Sequence, residues 1–459
     1  MPIADGCSPR RFADGSGDPV TAGTASDRLS TAQRRGSLWL ARLESPLAAY
    51  YLILGSGVAL VVIGLVMVLS SSSVESLVES QNPYQVFSKQ AMFAAIGLPM
   101  AWLAYRVPIR FWKSVAWVVF GVAVLSLIAV TLFGHNVNGN QNWLKIGPIT
   151  VQPSEAAKLA LVLWAAAVLS SKQSLLDRMS HMLVPVVPGS LLLIALVMAG
   201  NDLGTAMVLI GITGALLFVA GAPLRVFAFG GLLAAAVIAV LVTTSPHRMN
   251  RLNVWSGAEC DYYRDCWQTT HAMWGLATGG WWGVGLGVGQ EKWSWLPEAH
   301  NDFIFAVIGE ELGLAGALTV LLLFALLGVG LYRLAVSTDD FFVTVVSGGV
   351  LAWILGQAMI NIGTVLKVLP VIGVPLPLVS SGGSALVTTM IALGMLLGFA
   401  RRVPGAAQAL AARRSVGARA FAVLPGRRSA PRAGASRSGR GSASRRSGPR
   451  STVRSRSAR

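Results

Sequence analysis

Residues 224–244 read LRVFAFGGLLAAAVIAVLVTT, with Arg225 as the one charge. A helix of about 20 apolar residues spans the ~30 Å hydrocarbon of a bilayer, and in lipid it satisfies its own backbone hydrogen bonds. Working outward, comparable runs occur at 48–69, 88–106, 112–133, 154–171, 183–200, 203–221, 302–331, 341–366 and 383–401, ten in all. Of 459 residues, 54% are hydrophobic and 12% charged, where a soluble globular protein has about 25% charged. The chain reads as an all-α polytopic membrane protein with ten transmembrane helices. That excludes a soluble enzyme, a secreted disulfide scaffold and a disordered protein.

The net charge of +17 is concentrated at one end: residues 401–459 hold 16 Arg and no acidic residue. We read 403–459 as a disordered, Arg-rich tail. Anionic lipid is its default partner, at about 1 kcal/mol per basic residue, and nucleic acid is not expected. Residues 1–45, rich in Gly, Ser, Asp and Arg, read as a second disordered tail, and no cleavable signal peptide is visible. Between the tails lies the membrane domain, 46–402. An even number of spans puts both termini on one side. Placing them in the cytoplasm keeps 29 of 37 Lys and Arg inside, as the positive-inside rule requires.

Two outer segments stand apart. Residues 134–153 contain Asn136, Asn138, Asn140, Asn142, Trp143 and Lys145, too polar to cross. Residues 245–301 form a large extracytoplasmic loop between helices 7 and 8, with Trp255, Trp267, Trp274, Trp281, Trp282, Trp293 and Trp295. Trp favours the headgroup level, so the loop is expected to be an ordered cap with short interfacial helices. It also holds Cys260 and Cys266, on the oxidising side, where a disulfide between them would stiffen the cap; free thiols are the alternative.

Intramembrane ionisable groups are costly and point to function. Here they are Glu155, Lys158, Asp202, Asp302, Glu310 and Glu311. Glu155 and Lys158, three apart, can pair on one helical face, either as a structural ion pair or as the lining of a polar outer cavity. Asp202, in a turn, suits a helix N-cap or a binding site. The densest stretch is Pro297-Glu298-Ala299-His300-Asn301-Asp302-Phe303-Ile304-Phe305, which leaves the long loop and enters segment 302–331 with three proton-transfer groups in five residues. Arg248, Arg251 and Lys292 lie in the same loop. They suit lipid phosphate generally or, for the Arg forks, a pyrophosphate. The Gly-rich run Gly279 to Gly289 lacks GxGxxG and a Walker lysine, so neither a nucleotide nor an organic cofactor is expected. No spacing suits a tight zinc site; a weakly held Mg²⁺ or Mn²⁺ bridging carboxylate and substrate phosphates is compatible with the loop.

At these residues the sequence resembles the SEDS family (shape, elongation, division and sporulation proteins) over about 45–402. Four blocks in order carry the resemblance: Asn142-Trp143 through Gln152-Pro153-Ser154-Glu155-Ala156-Ala157-Lys158; Asp202-Leu203-Gly204-Thr205; Pro297 to Phe305 with Gly309-Glu310-Glu311-Leu312-Gly313; and Pro375-Leu376-Pro377-Leu378-Val379-Ser380-Ser381-Gly382-Gly383-Ser384. Pro-Glu-Ala-His resembles the division branch more than the elongation branch. The Arg-rich tail and the cysteine pair resemble actinobacterial members. Asn301 stands where the family usually has Thr, and Ser381 where it often has Tyr. The resemblance implies a ten-helix peptidoglycan glycosyltransferase that polymerises lipid II at the septum of the plasma membrane. It makes Asp302 the catalytic aspartate and places Glu155 and Lys158 in a central cavity. Asp202, Arg248, Arg251, Lys292, Glu298, His300, Ser380, Ser381, Gly382 and Gly383 are the further candidates for substrate contact. Implied partners are lipid II, a class B penicillin-binding protein acting as septal transpeptidase, and other division proteins, reached in part through the tail. The alternatives are a lipid II flippase, with Asp302 as a proton-coupling group, and a division scaffold.

Overall fold

The computed structural model describes residues 47–137, 140–147, 149–257, 261–262, 266–293 and 295–406. The predicted tail 1–45, residues 407–459 of the other tail, and Cys260 lie outside them. Twelve helices occur among the described residues: α1 Ala48–Ser80, α2 Gln85–Arg106, α3 Ile109–Phe133, α4 Pro153–Ser171, α5 Met179–Ala199, α6 Leu203–Val219, α7 Leu224–Thr243, α8 Pro246–Ser256, α9 Trp267–Gly279, α10 Ile304–Ser337, α11 Phe341–Val365 and α12 Gly383–Ala400. Nine of these are long and apolar enough to cross a membrane, and α6 is apolar but shorter. The chain is a multi-pass membrane protein.

Helix α4 is buried along nearly its whole length, as expected of a helix apolar on all faces. It packs against α3, α5, α6, α11 and α12. Helix α7 is the opposite case, with no buried residue. Helices α2 and α12 approach backbone to backbone through Gly394 and Gly398, four apart on α12. A Cβ there would lie 2.2 Å from the Ala101 carbonyl oxygen and 2.6 Å from that of Tyr105, respectively. Small residues at this spacing drive helix association where lipid removes the hydrophobic incentive.

Three elements differ from the sequence reading. The segment 134–153 is a small antiparallel sheet of β1 His135–Val137, β2 Asn140–Ile146 and β3 Ile149–Val151, in that order. Its register pairs His135 with Trp143 and Leu144 with Val151. The first span ends at Ser80 rather than residue 69. Its serines do not break the helix because their hydroxyls donate back to its own carbonyls, Ser72 to Val68 at 2.6 Å and Ser73 to Ser70 at 3.1 Å, a mode that hides polarity within the helix. Helix α10 is broken at Gly313, with φ 69° and ψ −166°.

The break in α10 is filled by the Gly-rich run. Val284 and Gly285 N–H donate to the Glu310 and Glu311 carbonyls at 3.0 Å each. Leu314 and Ala315 N–H donate in turn to the carbonyls of Gly280 and Trp281, at 2.9 and 3.2 Å. A Cβ on Gly313 would meet Gly283 N at 2.3 Å. The loop is thus plugged into the helix, and two carbonyls and two N–H groups at the break regain partners, as lipid demands. As expected, the loop carries short helices, α8 and α9.

Candidate active site at the head of α10

The turn 298–303 is built by backbone bonds. Glu298, at φ 56°, accepts on its carbonyl from Asn301 N–H at 3.0 Å and Phe303 N–H at 3.3 Å. The Pro375–Ser384 block clasps the turn from the other side. The Ser380 hydroxyl donates to the Asn301 carbonyl at 2.6 Å and accepts from Leu376 N–H at 2.8 Å. Ser381 N–H donates to the His300 carbonyl at 2.9 Å. Gly382 N–H donates to Gln90 Oε1 at 3.2 Å. Gly383 opens α12 against Phe93, where any Cβ would collide at 2.1 Å. Ser380 and Ser381 therefore hold the turn, while Gly382 and Gly383 seat the block against α2.

Within it, the Asp302 carbonyl accepts from Asn361 Nδ2 at 2.8 Å, and the same amide reaches the Val374 carbonyl at 2.7 Å. The Asp302 carboxyl lies just ahead of the span that begins at Ile304. Burial pushes its pKa up, Glu298 pushes in the same direction, Arg251 and His300 oppose, and Asp202 adds to the rise, for a net value of about 7. His300 Nδ1 lies 3.0 Å from Glu75 Oε2, an ion pair whose alignment falls short of a hydrogen bond. Burial alone would lower the His300 pKa, but Glu75, Glu298 and Asp302 together more than offset it and the net shift is upward.

Asp202 caps α6, accepting from Thr205 N–H at 2.8 Å and the Thr205 hydroxyl at 2.7 Å. Burial nonetheless raises its pKa. On α8, Arg251 donates to the Val371 carbonyl at 3.4 Å and Arg248 to those of Leu241 at 3.2 Å and Asn201 at 3.5 Å. Among the described residues neither guanidinium forms an ion pair within 4 Å of a carboxylate.

Two expectations change. Lys292 does not stand free for a phosphate. It is buried and pairs with Glu311 Oε1 at 3.0 Å, with Ser70 Oγ at 3.5 Å; a carboxylate already holds its charge. Glu155 and Lys158 do pair, at 2.8 Å, but are 2% and 1% exposed and line no open cavity. Lys158 also donates to Gln357 Oε1 at 2.9 Å and lies 5.5 Å from the centre of the Trp353 ring. Cys266, at the start of α9, is disulfide-bonded.

Sequence reading missed Glu75, Gln90, Gln357 and Asn361. The last two sit four apart on α11, one helical face, and both are buried. An uncharged amide in an apolar span was the available signal, and a search restricted to ionisable groups passes over it.

Bundle and turn together define a multi-pass membrane protein with an acid–base centre at one end of its helices. Residues 50–403 match the cell cycle protein family of FtsW, RodA and SpoVE. Over 384 residues the chain is 37% identical to the probable peptidoglycan glycosyltransferase FtsW of Mycobacterium tuberculosis, spanning 83% of this chain and 72% of that one. A protein of the same name from Nitrosomonas europaea is 35% identical over 343 residues, 73% of this chain and 88% of that one. Among solved structures, a chain of a peptidoglycan synthase complex that coordinates polymerization and crosslinking aligns with TM-score 0.63 and 26% identity, over 77% of this chain and 97% of that one. The rod shape determining protein RodA of Thermus thermophilus aligns with TM-score 0.58 and 25% identity, over 77% and 97%. The chain belongs to the FtsW, RodA and SpoVE family.

Proposed function

We propose that this protein is a peptidoglycan glycosyltransferase that polymerises lipid II at the outer leaflet of the plasma membrane during septation, with both termini in the cytoplasm. The observation that carries the mechanism is the Asp302 carboxyl, half-buried at the head of α10, which faces Glu298, Arg251, His300 and Asp202 and has its pKa raised to about 7. A general base works best when its pKa lies near the working pH.

Asp302 takes the proton of the acceptor's GlcNAc 4-hydroxyl. The oxygen attacks the anomeric carbon of the donor MurNAc, the bond from that carbon to the pyrophosphate oxygen breaks, and undecaprenyl pyrophosphate leaves with inversion. Charge develops on the departing phosphates, where cationic donors are worth most. Arg248 and Arg251 suit that task; Lys292, already matched by Glu311, does not. Glu155 and Lys158 serve as the scaffold of α4. Among the described residues no group of three or more His, Cys, Asp or Glu is placed to hold a metal; a Mg²⁺ or Mn²⁺ shared between a carboxylate and the substrate phosphates would supply further positive charge for the leaving group. A class B penicillin-binding protein is the partner that would crosslink the strand, and the Arg-rich tail suits anionic lipid or an acidic division partner.

The test is polymerisation of labelled lipid II by the purified protein, with and without that partner, beside Asp302→Ala. Polymer from the wild type alone, with the variant folded, supports the reading. Lipid II crossing vesicles with no polymer under any condition would replace it by a flippase. The kcat/KM should also fall as pH drops through about 7, because the base must be ionised.

A further inference from the structure

The contact between Glu75 and His300 touches none of the reacting atoms, and the backbone bonds of the turn are made without it. The backbone of the turn is fixed by Ser381 N–H on the His300 carbonyl, the Ser380 hydroxyl on that of Asn301 and Asn361 Nδ2 on that of Asp302. The imidazole is left over. It is two residues from Asp302, its side chain 17% exposed, and it meets a carboxylate that arrives from another helix on the polar extension of α1. Glu75 itself is 40% exposed, so solvent screens part of the pair's attraction.

We propose that Glu75 and His300 form a charge-positioning pair for Asp302: Glu75 holds the imidazole in its cationic form, and the imidazolium favours the carboxylate that accepts the substrate proton. The pair rests on the reading of Asp302 as the base. Other groups face the same carboxyl: Glu298 from its own turn, Arg251 from α8 and Asp202 from the start of α6. His300 in turn faces Glu75 on α1 and Glu298 and Asp302 on its own turn. The upward shift of His300 agrees with a cation held by Glu75. Arg251 acts on Asp302 in the same direction as His300, so loss of the imidazolium should displace the titration of Asp302 rather than abolish it.

The experiment is the pH dependence of kcat/KM for lipid II polymerisation by wild type, His300→Gln, Glu75→Gln, the double variant and Asp302→Asn. Removing the imidazolium makes the carboxylate harder to form, so the acid limb moves to higher pH in His300→Gln, by about one unit for a neighbouring charge. Glu75→Gln moves it the same way by less. The double variant matches His300→Gln, because Glu75 acts through the ring. A lower plateau with an unmoved acid limb would mean a purely structural role and would overturn the pair. If His300→Gln does not fold, Glu75→Gln decides alone, by whether its limb moves. Asp302→Asn separates the two readings: an active protein removes Asp302 as base and the pair with it, whereas an inactive one with unmoved limbs in the other variants removes only the pair.

Discussion

Two acidic centres lie eight residues apart at the head of α10. At Glu310 and Glu311 the carboxylates have close partners: Glu310 accepts from Gln290 N–H at 2.6 Å and Glu291 N–H at 3.3 Å, and Glu311 binds Lys292 and Ser70. At Asp302 two other carboxylates, Glu298 and Asp202, press on the half-buried group while Arg251 and His300 pull against them. The first is buried and the second half-buried. They differ in partners: Glu310 and Glu311 are held by close donors, whereas Asp302 faces charges of both signs and its pKa is raised to about 7. The first is a lock between loop and helix; the second is the candidate base.

The largest test of that contrast is Asp302→Ala. It should lower polymerisation by roughly 10²- to 10⁴-fold with thermal stability in detergent close to wild type. Glu311→Ala should do the reverse, leaving Lys292 buried and unpaired at about 3–5 kcal/mol, read as a large drop in melting temperature. Gly313→Ala, which needs a left-handed φ and meets Gly283 N, should cost about 1–3 kcal/mol and expose the Gly279–Gly289 run to limited proteolysis. The smallest effect is expected at Asp202. Replacement by Ala removes the α6 cap at about 1 kcal/mol, while Asn, which also caps, should restore most of the melting temperature. If Asn restores stability but polymerisation stays low, Asp202 belongs with the Asp302 centre as well.

Much of this was legible in the sequence. The apolar runs located the spans, and the Pro297–Phe305 block located Asp302, because both signals are contiguous. The extension of α1 was hidden since serines read as polar punctuation until their hydroxyls are seen to bond within the helix. Glu75 and Asn361 were hidden because each meets the turn from a distant helix. Lys292 was misjudged as a free cation because its partners, Glu311 and Ser70, are 19 and 222 positions away.

What the sequence determined by itself is the membrane-crossing body, the polar segments between spans and the residue types available at the head of α10, since hydrophobic length and local charge density act through neighbours along the chain. What only the tertiary structure decided is which charges are spent on one another. Coulomb energy and desolvation depend on distance in space, and helices far apart in sequence bring Lys292 to Glu311 and Glu75 to His300 while leaving Asp302 with more negative neighbours than its position in the chain reveals.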